Sequence, residues 1–174
     1  MIDRTTIAAA GSGALQERYG DWILTIVNQG AVDRTRSSYA ISYTLYDLQT
    51  NAPVLSIELT PKGGNLKGML ALPFGLHLRG RGLLRDDDVA LRPARRPGAA
   101  VSRGCLVELS LDAAMIAGLR RRRSLSVALA ADDTGLDVNY TISLNGFAEA
   151  LNRALSIVDP YDARIDADSK QTLQ

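Results

Sequence analysis

The 174 residues carry 20 Lys+Arg against 19 Asp+Glu, a formal net charge of +1, with 46% hydrophobic and 22% charged residues. That is the profile of an ordinary globular chain with one sizeable core, and the neutral balance argues against a dedicated nucleic-acid binder. One cysteine excludes a disulfide framework within the chain and any cysteine-rich zinc or iron–sulfur site, and one histidine excludes most histidine-built metal sites.

Residues 1–18 read as a flexible N-terminal segment. Its run from Ile7 to Leu15 is too short and too weakly apolar for a secretory core, so two readings stay open: no leader, or a chain that starts after one was removed. No apolar stretch approaches the roughly 20 residues of a membrane helix. From Tyr19 the pattern has period two, as a half-buried strand requires. Trp22, Leu24 and Ile26 share one face, then Tyr39, Ile41, Tyr43 and Leu45, then Leu55, Ile57 and Leu59. Asn51-Ala52-Pro53 and Pro61-Lys62-Gly63-Gly64-Asn65 are turn chemistry. Leu66 to Leu72 and Leu76 to Leu84 predict two more strands, and Asp86 to Arg103, with its prolines, predicts a loop around a short edge strand at Val89 to Leu91. Strand character returns at Cys105 to Leu109.

Helix signals follow. Asp112 is a good N-cap for a helix over Leu111 to Arg122, because its carboxylate can accept from the first free backbone N–H groups. Arg120 to Arg123 close that helix, where the helix dipole favours cations. A hairpin comes next, with Leu125, Val127 and Leu129 alternating, a turn at Asp132-Asp133-Thr134-Gly135, and a return strand through Ile142. Asn145 is expected to cap a second helix with Phe147, Leu151, Ala154 and Leu155 on its buried stripe. Residues 156–174 read as a polar C-terminal tail. The fold class is mainly β: a single β-sandwich-like domain over 19–155, with two short helices in the C-terminal half.

Four short pieces carry a family resemblance: Tyr19-Gly-Asp-Trp22, Leu72-Pro-Phe-Gly-Leu-His-Leu78, the segment Arg103-Gly-Cys-Leu-Val-Glu-Leu-Ser-Leu-Asp112, and Asn145-Gly-Phe-Ala-Glu-Ala-Leu151. In that order and spacing they resemble the invasion-associated locus B family of α-proteobacterial proteins, over about Tyr19 to Leu155. The resemblance implies a β-sandwich-like domain exported to the periplasm or the cell surface and linked to host-cell invasion, with no catalytic residues or cofactor to carry over. Family members usually have two cysteine pairs. Here only Cys105 stands at such a position, and its expected partner falls among Gly98 to Val101. Each missing bridge is worth about 2–4 kcal/mol, so the resemblance implies a larger apolar core in compensation.

Any histidine-dependent nucleophile would have to use His77, which reads as a surface or rim residue, and no Gly-x-Ser-x-Gly elbow exists. Cys105, beside Leu106, reads as buried and inert. Asp86, Asp87 and Asp88 read as a solvated turn, since calcium needs six to eight oxygens and no EF-hand loop accompanies them. Asn139-Tyr140-Thr141 matches a glycosylation sequon but lies inside a predicted strand. No catalytic, cofactor or metal residues are assigned.

The charge map is more informative. Leu76 to Arg123 holds eleven arginines and five acids, a net of +6, so the remainder carries −5. Arg92, Arg95, Arg96 and Arg103, with Arg120, Arg121, Arg122 and Arg123, form a candidate surface for an anionic partner, because the planar guanidinium fork binds phosphate or carboxylate bidentately. The aromatic interleaving that single-stranded nucleic acid needs is absent there. The leading expectation is a non-enzymatic, exported interaction module whose arginine-rich surface meets an anionic or protein partner. The alternative is a hydrolytic or carbohydrate-active β-sandwich, which requires a pocket with convergent polar groups and a perturbed carboxylate. A third is an envelope protein that stabilises a complex through an apolar patch or a stable dimer.

Overall fold

A computed structural model of the chain describes residues 6–8, 14–29, 36–73, 76–78, 100–101, 104–131 and 134–157. The elements are β1 (Thr6–Ala8), β2 (Ala14–Tyr19), β3 (Trp22–Gln29), β4 (Arg36–Tyr46), β5 (Pro53–Lys62), β6 (Asn65–Leu72), β7 (Leu76–Leu78), β8 (Ala100–Val101), β9 (Gly104–Leu111), α1 (Ala113–Arg120), β10 (Ser124–Ala131), β11 (Asp137–Ser143) and α2 (Phe147–Ile157). The fold is a mainly β, sandwich-like domain with two helices among the described residues.

Among the described residues, eight strands form one antiparallel sheet in the order β1-β2-β3-β4-β5-β6-β9-β8, and three form a second in the order β11-β10-β7. From β1 to β6 the large sheet is a meander, because each connection is short enough for consecutive strands to pair. The alternation places Trp22, Leu24 and Ile26 on the same face as Ile41 and Tyr43, and these beside Leu55, Ile57 and Leu59, all buried. The small sheet adds Leu125, Val127, Leu129 and Ile142 to the same core, and α2 adds Phe147, Leu151 and Ala154. Burying each large apolar side chain contributes roughly 1.5–3 kcal/mol. Trp22 is fully buried, 5.0 Å from the Phe147 ring in an edge-on arrangement and 5.7 Å from Tyr43.

Several expectations shift in detail. The large sheet already includes Ala14–Tyr19 and Thr6–Ala8, upstream of the boundary expected at Tyr19, because Leu15, Glu17 and Tyr19 point to the core side and gain partners there. Pro61 and Lys62 belong to β5, opposite Leu66 and Asn65, so the turn narrows to Gly63-Gly64, both at positive φ. The strand expected over Leu76 to Leu84 is described only at Leu76–Leu78, where it pairs with β10. Helix α1 starts at Ala113, with Asp112 as its N-cap accepting from the Met115 N–H at 2.9 Å, and ends at Arg120 rather than Arg122.

Asn145 does not cap α2. Gly146 stands between them, and its carbonyl accepts the first helical bond from Ala150 at 3.0 Å. Between β4 and β5, Asp47 Oδ1 accepts from the N–H groups of Gln49 (2.9 Å) and Thr50 (2.8 Å) and from the Thr50 hydroxyl (2.9 Å). The Thr50 amide, then its hydroxyl and the Gln49 amide, hold this carboxyl below its ordinary value. Exposed Leu48 rides on that turn.

Candidate functional site

The arginine run Arg120–Arg123 spans the last residue of α1 and the entry to β10. Its position is fixed at both ends. The Arg121 and Arg122 amides donate to the Gly118 and Leu119 carbonyls, both at 3.2 Å, which closes the helix. The Arg123 carbonyl accepts from the Leu144 amide at 2.9 Å, which ties the run to the end of the β10–β11 hairpin. Buried Leu119, with Met115 and Ile116 beside it, anchors the helix to the core. Arg120, Arg121 and Arg123 are exposed, and Arg122 is half-buried. Only Arg120 lies in the last helical turn, where the dipole accounts for a cation at about 0.3–1 kcal/mol. The other four arginines of the candidate surface, Arg92, Arg95, Arg96 and Arg103, lie outside the described residues, as do Asp86 to Asp88, Asp132 and Asp133.

Next to the run is a polar corner that sequence reasoning missed. The turn Gly20-Asp21 between β2 and β3 docks against Ser143-Leu144-Asn145-Gly146. The Asp21 amide donates to the Asn145 carbonyl at 3.1 Å, and the Ser143 hydroxyl donates to Asp21 Oδ2 at 2.6 Å. The Asn145 amide donates to Ser143 Oγ at 3.2 Å, and Trp22 Nε1 donates to the Ser143 carbonyl at 2.8 Å. The backbones approach so closely that a Cβ on Gly146 would lie 1.9 Å from the Tyr19 carbonyl oxygen, and one on Gly20 2.7 Å from that of Asn145. Both glycines also have positive φ, +85° and +54°, where a side chain is strained. The Ser143 hydroxyl bond to Asp21, the Asp21 amide bond to Asn145 and the Trp22 bond to the Ser143 carbonyl each tie one segment to the other, and together they fasten the fold.

A second tie binds α2 to β2. Glu17, 6% exposed, accepts the Tyr19 hydroxyl at 2.5 Å and a two-pronged contact from Arg153: Nε to Oε2 at 3.0 Å and Nη2 to Oε1 at 3.0 Å. The hydrogen bond to Glu17 raises the Arg153 pKa above its ordinary value. The signal in the sequence is an acid in phase with Leu15 and Tyr19, two apolar residues on one face of β2.

Cys105 lies in β9 with Ala100 of β8 as its cross-strand partner. Ala100 lies within Gly98 to Val101, the stretch where the resemblance leads one to expect a cysteine partner. His77 lies in β7, opposite Ala130. Asn139 lies within β11, opposite Ala128. Among the described residues no group of three His, Cys, Asp or Glu side chains is placed to hold a metal, and no helix is long and apolar enough to cross a membrane.

Comparison with known proteins converges. Residues 40–155 match the sequence profile of the invasion associated locus B (IalB) protein family. An invasion protein B homologue of Brucella abortus is 33% identical over 144 residues, covering 82% of this chain and 80% of the relative. Invasion protein B of Bartonella bacilliformis is 27% identical over 149 residues, covering 84% and 78%. The crystal structure of invasion associated protein B from Bartonella henselae superposes with a TM-score of 0.67 at 23% identity, covering 82% of this chain and 96% of that one, so the fold is shared. The pieces that meet at the corner, Tyr19-Gly-Asp-Trp22 and Asn145-Gly-Phe147, thus hold together a fold this protein has in common with its relatives, and the chain belongs to the invasion associated locus B family.

Proposed function

We propose that the protein is a non-enzymatic, exported binding module that engages an anionic partner through the arginine end of α1. One observation carries this reading: three of four consecutive arginines are exposed on a segment pinned by the α1 C-terminus on one side and by Leu144 on the other. Cations held on a rigid segment lose less side-chain and backbone freedom on binding than cations on a floppy one. Only Arg120 serves the helix dipole, which leaves Arg121 and Arg123 available for a ligand. Export and a role at the host surface rest on the relatives, which are named as invasion proteins.

The test compares wild type with a variant carrying Ser at positions 120–123 on a heparin column. Wild type is expected to be retained and to elute as salt screens the arginines, while the variant elutes early with an unchanged circular dichroism spectrum. Equal elution of the two proteins would remove the arginine role.

A further inference from the structure

The two faces of the large sheet differ in what covers them. Helices α1 and α2 and the small sheet all pack, through one core, on the face that carries Trp22, Ile41, Leu59 and Leu70. The opposite face, built from the alternate residues of β2, β3, β4, β5, β6 and β9, is half-buried or exposed throughout its described positions. The register runs one row of side chains straight across it: Arg18, Ile23, Ser42, Glu58, Met69 and Glu108. Met69 is exposed, an unusual place for a methionine on a sheet with a full core behind it.

The order of charges in that row is what identifies an occupant. Arg18 stands at the β2 end, Glu108 at the β9 end, and the apolar pair Ile23 and Met69 lies one strand in from each. A two-fold axis parallel to the strands, passing between β4 and β5, reverses the row onto itself. It sets Arg18 against Glu108 of the second copy, Ile23 against Met69 of the second copy, and places each apolar contact inside a charged pair. The next row, Thr60, Lys67 and Ser110, brings one more cation, so the charges of the two rows balance. A face of this balance suits neither a polyanion nor a polycation, whereas it suits itself, as an interface with two-fold symmetry must.

We infer that this outer face, along the row Arg18–Ile23–Ser42–Glu58–Met69–Glu108, is the interface of a homodimer formed by packing two large sheets face to face. The row spans about 24 Å across six strands, so the contact is at the small end for specific interfaces and the dimer is expected to be in rapid exchange with monomer.

Sedimentation equilibrium up to about 500 μM tests the inference. Wild type is expected to dimerise in the micromolar range. Arg18→Glu and Glu108→Arg each place like charges opposite one another twice per dimer and are expected to weaken association about tenfold or more, and the double exchange to restore it. Both side chains are exposed, so the monomer fold is expected to persist by circular dichroism. Met69→Asp gives an independent loss from the apolar centre. A monomer at every concentration, a dimer indifferent to the single reversals, or a double exchange that fails to recover would each overturn the assignment.

Discussion

The corner where Tyr19–Trp22 meets Ser143–Phe147 and the corner where β8 meets β9 both carry pieces of the family pattern, and they are held in different ways. At the first, two backbones touch through glycines, an indole N–H satisfies a carbonyl, and a hydroxyl–carboxylate bond closes the contact. At the second, two residues of β8 pair with β9, and Cys105 is matched with Ala100, within the stretch Gly98 to Val101 where the resemblance leads one to expect a second cysteine. The first joins residues more than a hundred positions apart; the second closes a loop of a few residues. The backbone approach at Gly20 and Gly146 leaves no room for a Cβ, and both residues sit at positive φ, so the glycine corner is highly exposed to substitution. The family residues that meet at the first corner are thus fold-holding residues.

The contrast between the corners breaks most easily at Gly146. Gly146→Ala sets a Cβ 1.9 Å from the Tyr19 carbonyl at φ +85°, so the helix start or the β2–β3 turn must move. The expected loss is about 3 kcal/mol or more, read as a lower midpoint in chemical unfolding. A substitution cost within about 0.5 kcal/mol would mean the corner is loose and the contrast unfounded.

Ala100→Cys sharpens the other side. Opposed antiparallel residues lie about 4.5–5.5 Å apart at Cα, inside the range a disulfide spans. Under oxidising conditions the variant is expected to lose its thiol titre as a monomer and gain about 2 kcal/mol or less, because the closed loop is short. Persistent thiols, or a covalent dimer in their place, would show that β8 does not present residue 100 to residue 105. The gain is expected to be smaller than the Gly146→Ala loss, which is the ordering the two corners imply.

Legibility in the sequence follows the same division. Period-two alternation is local, so the core faces of β3, β4, β5 and β10 are readable from Trp22, Ile41, Ile57 and Val127 without knowing the partners. The Asp112 cap is local too, since the carboxylate needs only the amide three residues on. Asn145 misleads because its side chain type suits a cap, whereas the approach of Tyr19, 127 positions upstream of Gly146, demands the next residue's missing Cβ. The ion pair of Glu17 and Arg153 is half hidden for the same reason: Glu17 is in phase with Leu15 and Tyr19, but its partner is set only when β2 and α2 are brought together. Of the eight arginines of the candidate surface, the fold places Arg120–Arg123 on one pinned segment, a juxtaposition that follows from their adjacency in sequence.

That ion pair provides the smallest effect in the series and a check on how α2 is held away from its glycine start. Glu17 is buried, while the Arg153 side chain is 36% exposed, so solvent screens part of the attraction. Glu17→Gln keeps the shape and a hydrogen-bond acceptor for Tyr19 but removes the charge facing Arg153. A loss of about 1 kcal/mol is expected, nearer the value for exposed pairs than for fully buried ones. Because the arginine's pKa is raised, its share of this stability is fully present at every pH below its ordinary value and is lost only as pH climbs through the raised one. The gap between wild type and Glu17→Gln should therefore stay constant on raising the pH from neutral to moderately alkaline, and unfolding midpoints across that window measure it. A gap that closed there would mean that a group other than Arg153 balances Glu17, and that α2 depends on its Gly146 corner more heavily than its ties to β2 imply.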